Sequence, residues 1–211
     1  MANNVQRVKM NYTTGKGELV GFITLTTPSK QFGTYSASIL LSKEEGETLV
    51  AKLKELRKEQ YKLVQNKGTL KDLPCIPYTT YNEATGENVE DAEGRYILKT
   101  ANKAFNKEGK LVFKPQFINT KKEKITGDLK AAEGTIARLA ILFEGYKAGA
   151  NVGISAKLIG GQIINLVEYS GGASLSMDAF DVEEGYEGIG AEAVTTESKV
   201  EETVDEEELY F

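Results

Sequence analysis

Apolar positions alternate in several short runs of this chain and recur with a helical period over one stretch. Gly17 to Thr27 gathers Val20, Phe22, Ile23 and Leu25 into a short run that stops at Pro28. Gly33 to Leu41 alternates Tyr35, Ala37, Ile39 and Leu41 with small polar residues, which predicts a half-buried strand. Leu49, Leu53, Leu56 and Leu63 then fall on one helical face, with Val50 and Val64 beside them. Ser42, three residues before Glu45, predicts a capping box at the start of that helix. Lys58, Lys62 and Lys67 suit its carbonyl end, and Gly68 predicts its stop.

Beyond Pro74 and Pro77 lies a turn-rich acidic stretch, 82–94. Two strand-like runs follow, Arg95 to Phe105 and Lys110 to Asn119, around the turn Asn106-Lys107-Glu108-Gly109. The spacing predicts a hairpin in which Phe105 faces Lys110, Lys103 faces Val112 and Lys99 faces Gln116. Alternation would then put Arg95, Lys99, Lys103, Phe105, Lys110 and Lys114 on one face. Tyr96, Leu98, Leu111, Phe113 and Phe117 would share the core side, and Pro115 predicts an edge or a bulge. Thr135 to Glu144 alternates Ala137, Leu139, Ile141 and Phe143. Asn151 to Ile159 and Gln162 to Tyr169 read as a hairpin about Gly160-Gly161. Short strands, regular turns and one helix predict a mainly β fold, a small antiparallel barrel or sandwich.

Charge divides the chain where periodicity does not. From Asp181 to Phe211 there are twelve acids and one base, a net of −11. The first 180 residues carry 25 bases and 19 acids, a net of +6, so the overall −5 hides a basic body joined to an acidic tail. Like charges at that density bury little and resist folding, so residues 173–211 are expected to be a disordered interaction tail. Residues 1–16, with Arg7, Lys9 and Lys16, read as a basic arm, and 17–172 as one domain. The single Cys75 forbids an internal disulfide and favours a reducing compartment. No stretch approaches the roughly 20 apolar residues that span a bilayer.

The 211 residues include no histidine. That removes the commonest general base and zinc ligand, and with one cysteine no Ser-His-Asp, Cys-His or zinc-finger arrangement can be assembled. No cofactor, metal or catalytic set is expected. Glu108-Gly109-Lys110 with Asp91 upstream faintly matches a carboxylate nuclease motif, although a tight turn explains that glycine equally well. The cationic hairpin face is the better candidate: lysines on adjacent strands repel one another unless a polyanion neutralises them, and Phe105 offers a ring for base stacking. Tyr146, between Gly145 and Gly149, is a second stacking candidate. Asp205, Glu206, Glu207 and Glu208 with Tyr210 and Phe211 combine anions and rings. They could compete for the basic groove or dock partner proteins.

Several segments, in order, resemble the bacteriophage replication single-stranded DNA-binding proteins. These are Phe32-Gly33-Thr34-Tyr35 leading to Leu40-Leu41 and the helix, Asp72-Leu73-Pro74, Lys103-Ala104-Phe105 and Phe143-Glu144-Gly145-Tyr146. Gly153 to Leu158, Leu166 to Tyr169 and the acidic, aromatic-ended tail complete the series. The resemblance implies an OB-fold-like barrel that coats single strands in replication, recombination and repair, within the cytoplasm of an infected bacterium. It also implies homodimers and tail contacts to polymerase and helicase-primase. Tyr146 matches a position where the family places an aromatic near DNA; some relatives carry tryptophan two residues on, where this chain has Ala148. An RNA-binding or chaperone-like OB protein is the alternative, with a carboxylate-metal nuclease and a scaffold whose tail only solubilises behind it.

Overall fold

The computed structural model describes residues 6–64 and 68–168. Strands β1 (Lys9–Thr13), β2 (Gly17–Thr24) and β3 (Thr34–Leu41) precede helix α1 (Lys43–Leu63). Short strands β4 (Thr69–Leu70), β5 (Cys75–Pro77), β6 (Thr79–Asn82) and β7 (Glu87–Glu90) follow. The chain continues with β8 (Tyr96–Lys103), β9 (Gln116–Ile118), β10 (Ile136–Ala148) and β11 (Asn151–Asn165).

Five long strands, in the order β11-β10-β2-β3-β8, pair antiparallel. The two ends of that run meet: β8 lies against β11, and the Asn102 amide donates to the Leu158 carbonyl at 3.3 Å. The result is an OB-like barrel filled by alternate residues, among them Leu19, Tyr35, Ile39, Leu98, Leu139, Phe143 and Leu158. β4 and β9 join β11 in parallel, so the sheet is mixed at its margin. The acidic stretch expected to be turns holds β7, which pairs with β6 just before it as a separate ribbon.

Part of the predicted N-terminal arm is a barrel strand. β1 pairs with β10 from Lys9 opposite Glu144 to Thr13 opposite Ala140. Met10 and Tyr12 pack on the core while Lys9, Asn11 and Thr13 face out. A five-residue amphipathic strand with polar outer positions is easily taken for a polar arm.

The helix is where the periodicity places it, with two changes. Ser42 Oγ accepts the Glu45 N–H at 3.3 Å, but the Glu45 carboxylate does not return the bond. It accepts instead from Tyr12 Oη at 2.7 Å and from the Gly15 N–H at 2.8 Å, tying the helix start to the β1–β2 turn. Burial, with that carboxylate beside it, raises the Tyr12 phenol pKa above its ordinary value. Leu49 and Leu53 are fully buried, whereas Leu63 is exposed and Gln60 takes a core-facing position. Gln60 fits because Gly145 beneath it has no side chain, and its Oε1 accepts the Val8 N–H at 3.0 Å.

The predicted long hairpin is replaced by a different pairing. Phe105 makes an isolated bridge with Leu111, one position out of the expected register, and the strands then part. β8 pairs with β3 along its length, and the second run crosses to lie parallel to β11 as β9. Gly160-Gly161 are not a turn but lie inside the 15-residue β11, and that crossing explains the first of them. A Cβ on Gly160 would collide with the Gln116 carbonyl, and one on Gly161 with the Arg138 carbonyl. Phe117 and Leu98 are buried as expected, while Leu111 is left outside.

Candidate nucleic-acid interface

Three outward positions of β8 stand beside three of β3: Lys99 opposite Ser38, Ala101 opposite Ser36 and Lys103 opposite Thr34. Alternation dictates this, because Leu98, Thr100 and Ala104 on the opposite face are buried. Ser36 and Thr24 hydroxyls bond each other at 3.0 Å, so the β2–β3 side is a low polar floor beneath the lysines. The Ala104 N–H donates to the Gly33 carbonyl at 2.9 Å, which sets Phe105 against the β2–β3 turn. Its ring is 3.4 Å from where a Gly33 Cβ would stand, and Gly33 has φ +59°, so a side chain there would be strained as well as crowded. Phe32, next to Gly33, is 65 % exposed.

Two further cations are placed by the loop after β8. Asn106 Oδ1 accepts the N–H groups of Glu108 at 3.0 Å and Lys110 at 2.9 Å, an Asx-type turn that holds Lys110 near Phe105. Lys114 lines a cavity of about 270 Å³ together with Lys124, Gln116 and Thr26. Asp128 pins that wall to the β2–β3 turn by accepting from Thr26 Oγ1 at 2.7 Å and Thr27 Oγ1 at 2.6 Å. Those hydroxyls, followed by the charges of Lys130 and Lys114, hold its carboxyl below the usual range.

Ion pairing separates these cations from five others, Arg7, Lys9, Lys58, Arg95 and Lys157. Among the described residues, Lys99, Lys103, Lys110, Lys114 and Lys124 have no carboxylate within 4.0 Å. Arg95, predicted to join them, is instead held by Asp91 at 2.7 Å and Glu93 at 3.4 Å. Its hydrogen bonds lower the Asp91 pKa to about 2. Arg7, Lys9 and Lys157 surround the largely buried Glu144. Burial raises the pKa of that carboxyl, but the Lys157 bond and the three positive charges outweigh it and leave it lowered.

Tyr146 is half-buried opposite Gly153, and its ring rests on that glycine, where an added Cβ would come within 2.8 Å of Oη. Asp91 and Glu108 stand at opposite ends of the eight-residue β8, roughly 26 Å of strand apart, so the nuclease-like pair is not assembled. Cys75 is buried, and burial first, then the Glu45 charge, pushes its thiol up to about 12. Asp205, Glu206, Glu207, Glu208, Tyr210 and Phe211 lie outside the described residues.

Local pattern does not mark Phe22, Phe32 or Lys124 as surface candidates. Phe22 looks like a core residue in an apolar run, yet it is 66 % exposed. A register shift between Val20 and Thr24, with Gly21 at φ +71°, lifts it out of the sheet. Lys124 was visible in the run Lys121-Lys122-Glu123-Lys124, although no periodicity connects that loop to β8.

No protein-family model matches the chain, and no curated protein matches it by sequence. Solved structures do. The single-stranded DNA-binding protein gp2.5 encoded by bacteriophage T7 superposes with a TM-score of 0.58 at 14 % identity, over 86 % of this chain and 100 % of that one. The single-stranded DNA-binding protein from bacteriophage Enc34 superposes with a TM-score of 0.50 at 15 % identity, over 81 % of this chain and 90 % of that one. The resemblance read from the sequence therefore extends to the fold: this chain has the architecture of phage single-stranded DNA-binding proteins.

Proposed function

We propose that this chain is a non-enzymatic single-stranded DNA-binding protein that coats exposed strands during phage replication, recombination and repair. The observation that carries this reading is the run of cations without acidic partners, Lys99, Lys103, Lys110 and Lys114, beside the exposed rings of Phe105 and Phe32. Lysines track phosphates without reading sequence, and rings stack on any base, which together suit a binder of single strands. The fold shared with two phage proteins of that activity supports it.

The acidic segment acts as a tethered competitor. With a net charge of −11 it occupies the lysine surface until DNA displaces it. It then presents Tyr210 and Phe211, with their neighbouring acids, to basic apolar pockets on polymerase or helicase-primase. The protein works as a homodimer in the cytoplasm of the infected host; no helix among the described residues is long and apolar enough to cross a membrane.

Fluorescence anisotropy with single- and double-stranded oligonucleotides, over a salt series, tests this. The full chain should prefer single strands and lose affinity with a log–log slope of about −0.7 per phosphate contact. A chain ending at Phe180 should bind more tightly. A flat salt response, or equal affinity for duplex, would reject the reading; equal affinity of the two chains would reject the gate alone.

A further inference from the structure

A second, larger cavity of about 490 Å³ opens on the outer barrel surface where β9 crosses β11. We infer that it seats one nucleobase turned out of the bound strand, a proposal that rests on the single-strand reading above. Its walls are apolar: the Phe113 ring, Ile118, Ala140 and Ile159. Its floor passes over Gly160, whose missing side chain the β9 crossing requires, and Gly161, where a Cβ would meet the Arg138 carbonyl of β10. Such a volume lies within the range of small-ligand pockets, roughly 300–1,000 Å³.

The rim is cationic. Arg138, opposite Gln162 on β11, is exposed and has no carboxylate within 4.0 Å among the described residues; Lys114 closes another side. Two amides complete the lining. Gln162 Nε2 donates to the Asn119 carbonyl at 3.2 Å, which fixes that amide plane, and Gln116 makes no side-chain hydrogen bond among the described residues. A flat apolar body flanked by anions and carrying hydrogen-bonding edges is the matching ligand. A base between its two phosphates is that body.

Continuity with the proposed DNA surface supports this occupant. Lys114 and Gln116 line both this cavity and the smaller one, and the smaller one reaches Thr26 at the β2–β3 turn, which also carries Phe32 and Gly33. A strand lying over Lys103 and Phe105 can therefore pass Lys110 and Lys114 and present its next base to the cavity.

The test uses the full chain with two strands of equal length and charge: oligothymidylate, and the same backbone with abasic residues throughout. Ala140→Trp fills the cavity from β10 and Ile159→Trp fills it from β11; both positions lie at the surface side of their strands, and thermal melting checks the fold. Each should weaken oligothymidylate binding by roughly tenfold and leave the abasic strand within about twofold. Arg138→Ala should weaken both strands and flatten the salt slope by about 0.7. Filled variants that keep full affinity for oligothymidylate, or that lose both strands equally, overturn the proposal while single-strand binding stands. Filled variants that bind both strands more tightly would show the cavity to be the seat of the chain's own acidic segment, and the nucleobase assignment falls. If the unmodified chain binds neither strand, the single-strand reading fails and takes this one with it.

Discussion

Glu144 and Lys103 make an instructive pair. Around Glu144, three cations converge on one largely buried carboxylate, and the positive charge there is spent on joining β1, β10 and β11. Around Lys103, cations stand beside hydroxyls and rings with no acid to answer them. Both regions look equally basic in the sequence. Pairing marks charge that holds the barrel together, whereas cations free to neutralise phosphates displace the counterions condensed on a nucleic acid.

Breaking the structural side should show first in stability. Glu144→Gln removes the shared anion and should cost about 1–3 kcal/mol, toward the lower end because Arg7 and Lys9 are more than half exposed. A urea midpoint shift with unchanged DNA affinity would confirm the division; a loss of affinity at unchanged stability would undo it.

Breaking the ligand side should do the reverse. Lys99→Ala with Lys103→Ala should reduce single-strand affinity by roughly tenfold at low salt and flatten the log–log slope by about 1.4, two contacts at about 0.7 each. Stability should change by less than about 0.5 kcal/mol, since neither lysine has a partner to lose. Unchanged affinity would move the interface off β8.

Arg95 sharpens the contrast because it shares the strand region but not the role. Arg95→Ala should leave affinity within about twofold, because Asp91 and Glu93 already neutralise it. A loss equal to that of Lys99→Ala would mean that pairing does not decide which cations bind.

The smallest effect is one of pH. The Asp91 pKa, about 2 in the fold against about 3.9 in an unfolded chain, makes its contribution fully present above about pH 4. It is lost as pH falls toward 2. The acid limb of the stability profile should therefore be shallower in Asp91→Asn, and an identical limb would show that the Arg95 brace adds nothing.

Elements with strong local periodicity were legible without coordinates. The β3 alternation, the α1 stripe through Leu49 and Leu53, and the Thr135–Glu144 strand all follow from side-chain spacing and the need to bury apolar surface. So did the outward placement of Lys99, Lys103 and Phe105, since alternation along one strand needs no knowledge of its neighbour. The partners were not legible. Nothing local to Lys110–Asn119 says that it leaves β8 for β11, or that Gly160 accommodates that crossing rather than a turn.

The sequence therefore carried the fold class, the helix and the division into a basic body and an acidic tail, because composition and short-range spacing encode them. Three-dimensional pairing assigned Arg95 to Asp91, Glu45 to Tyr12, and Lys114 and Arg138 to the rim of one cavity. Those choices depend on which distant segments pack together, and contacts between segments far apart in the chain leave no period in it.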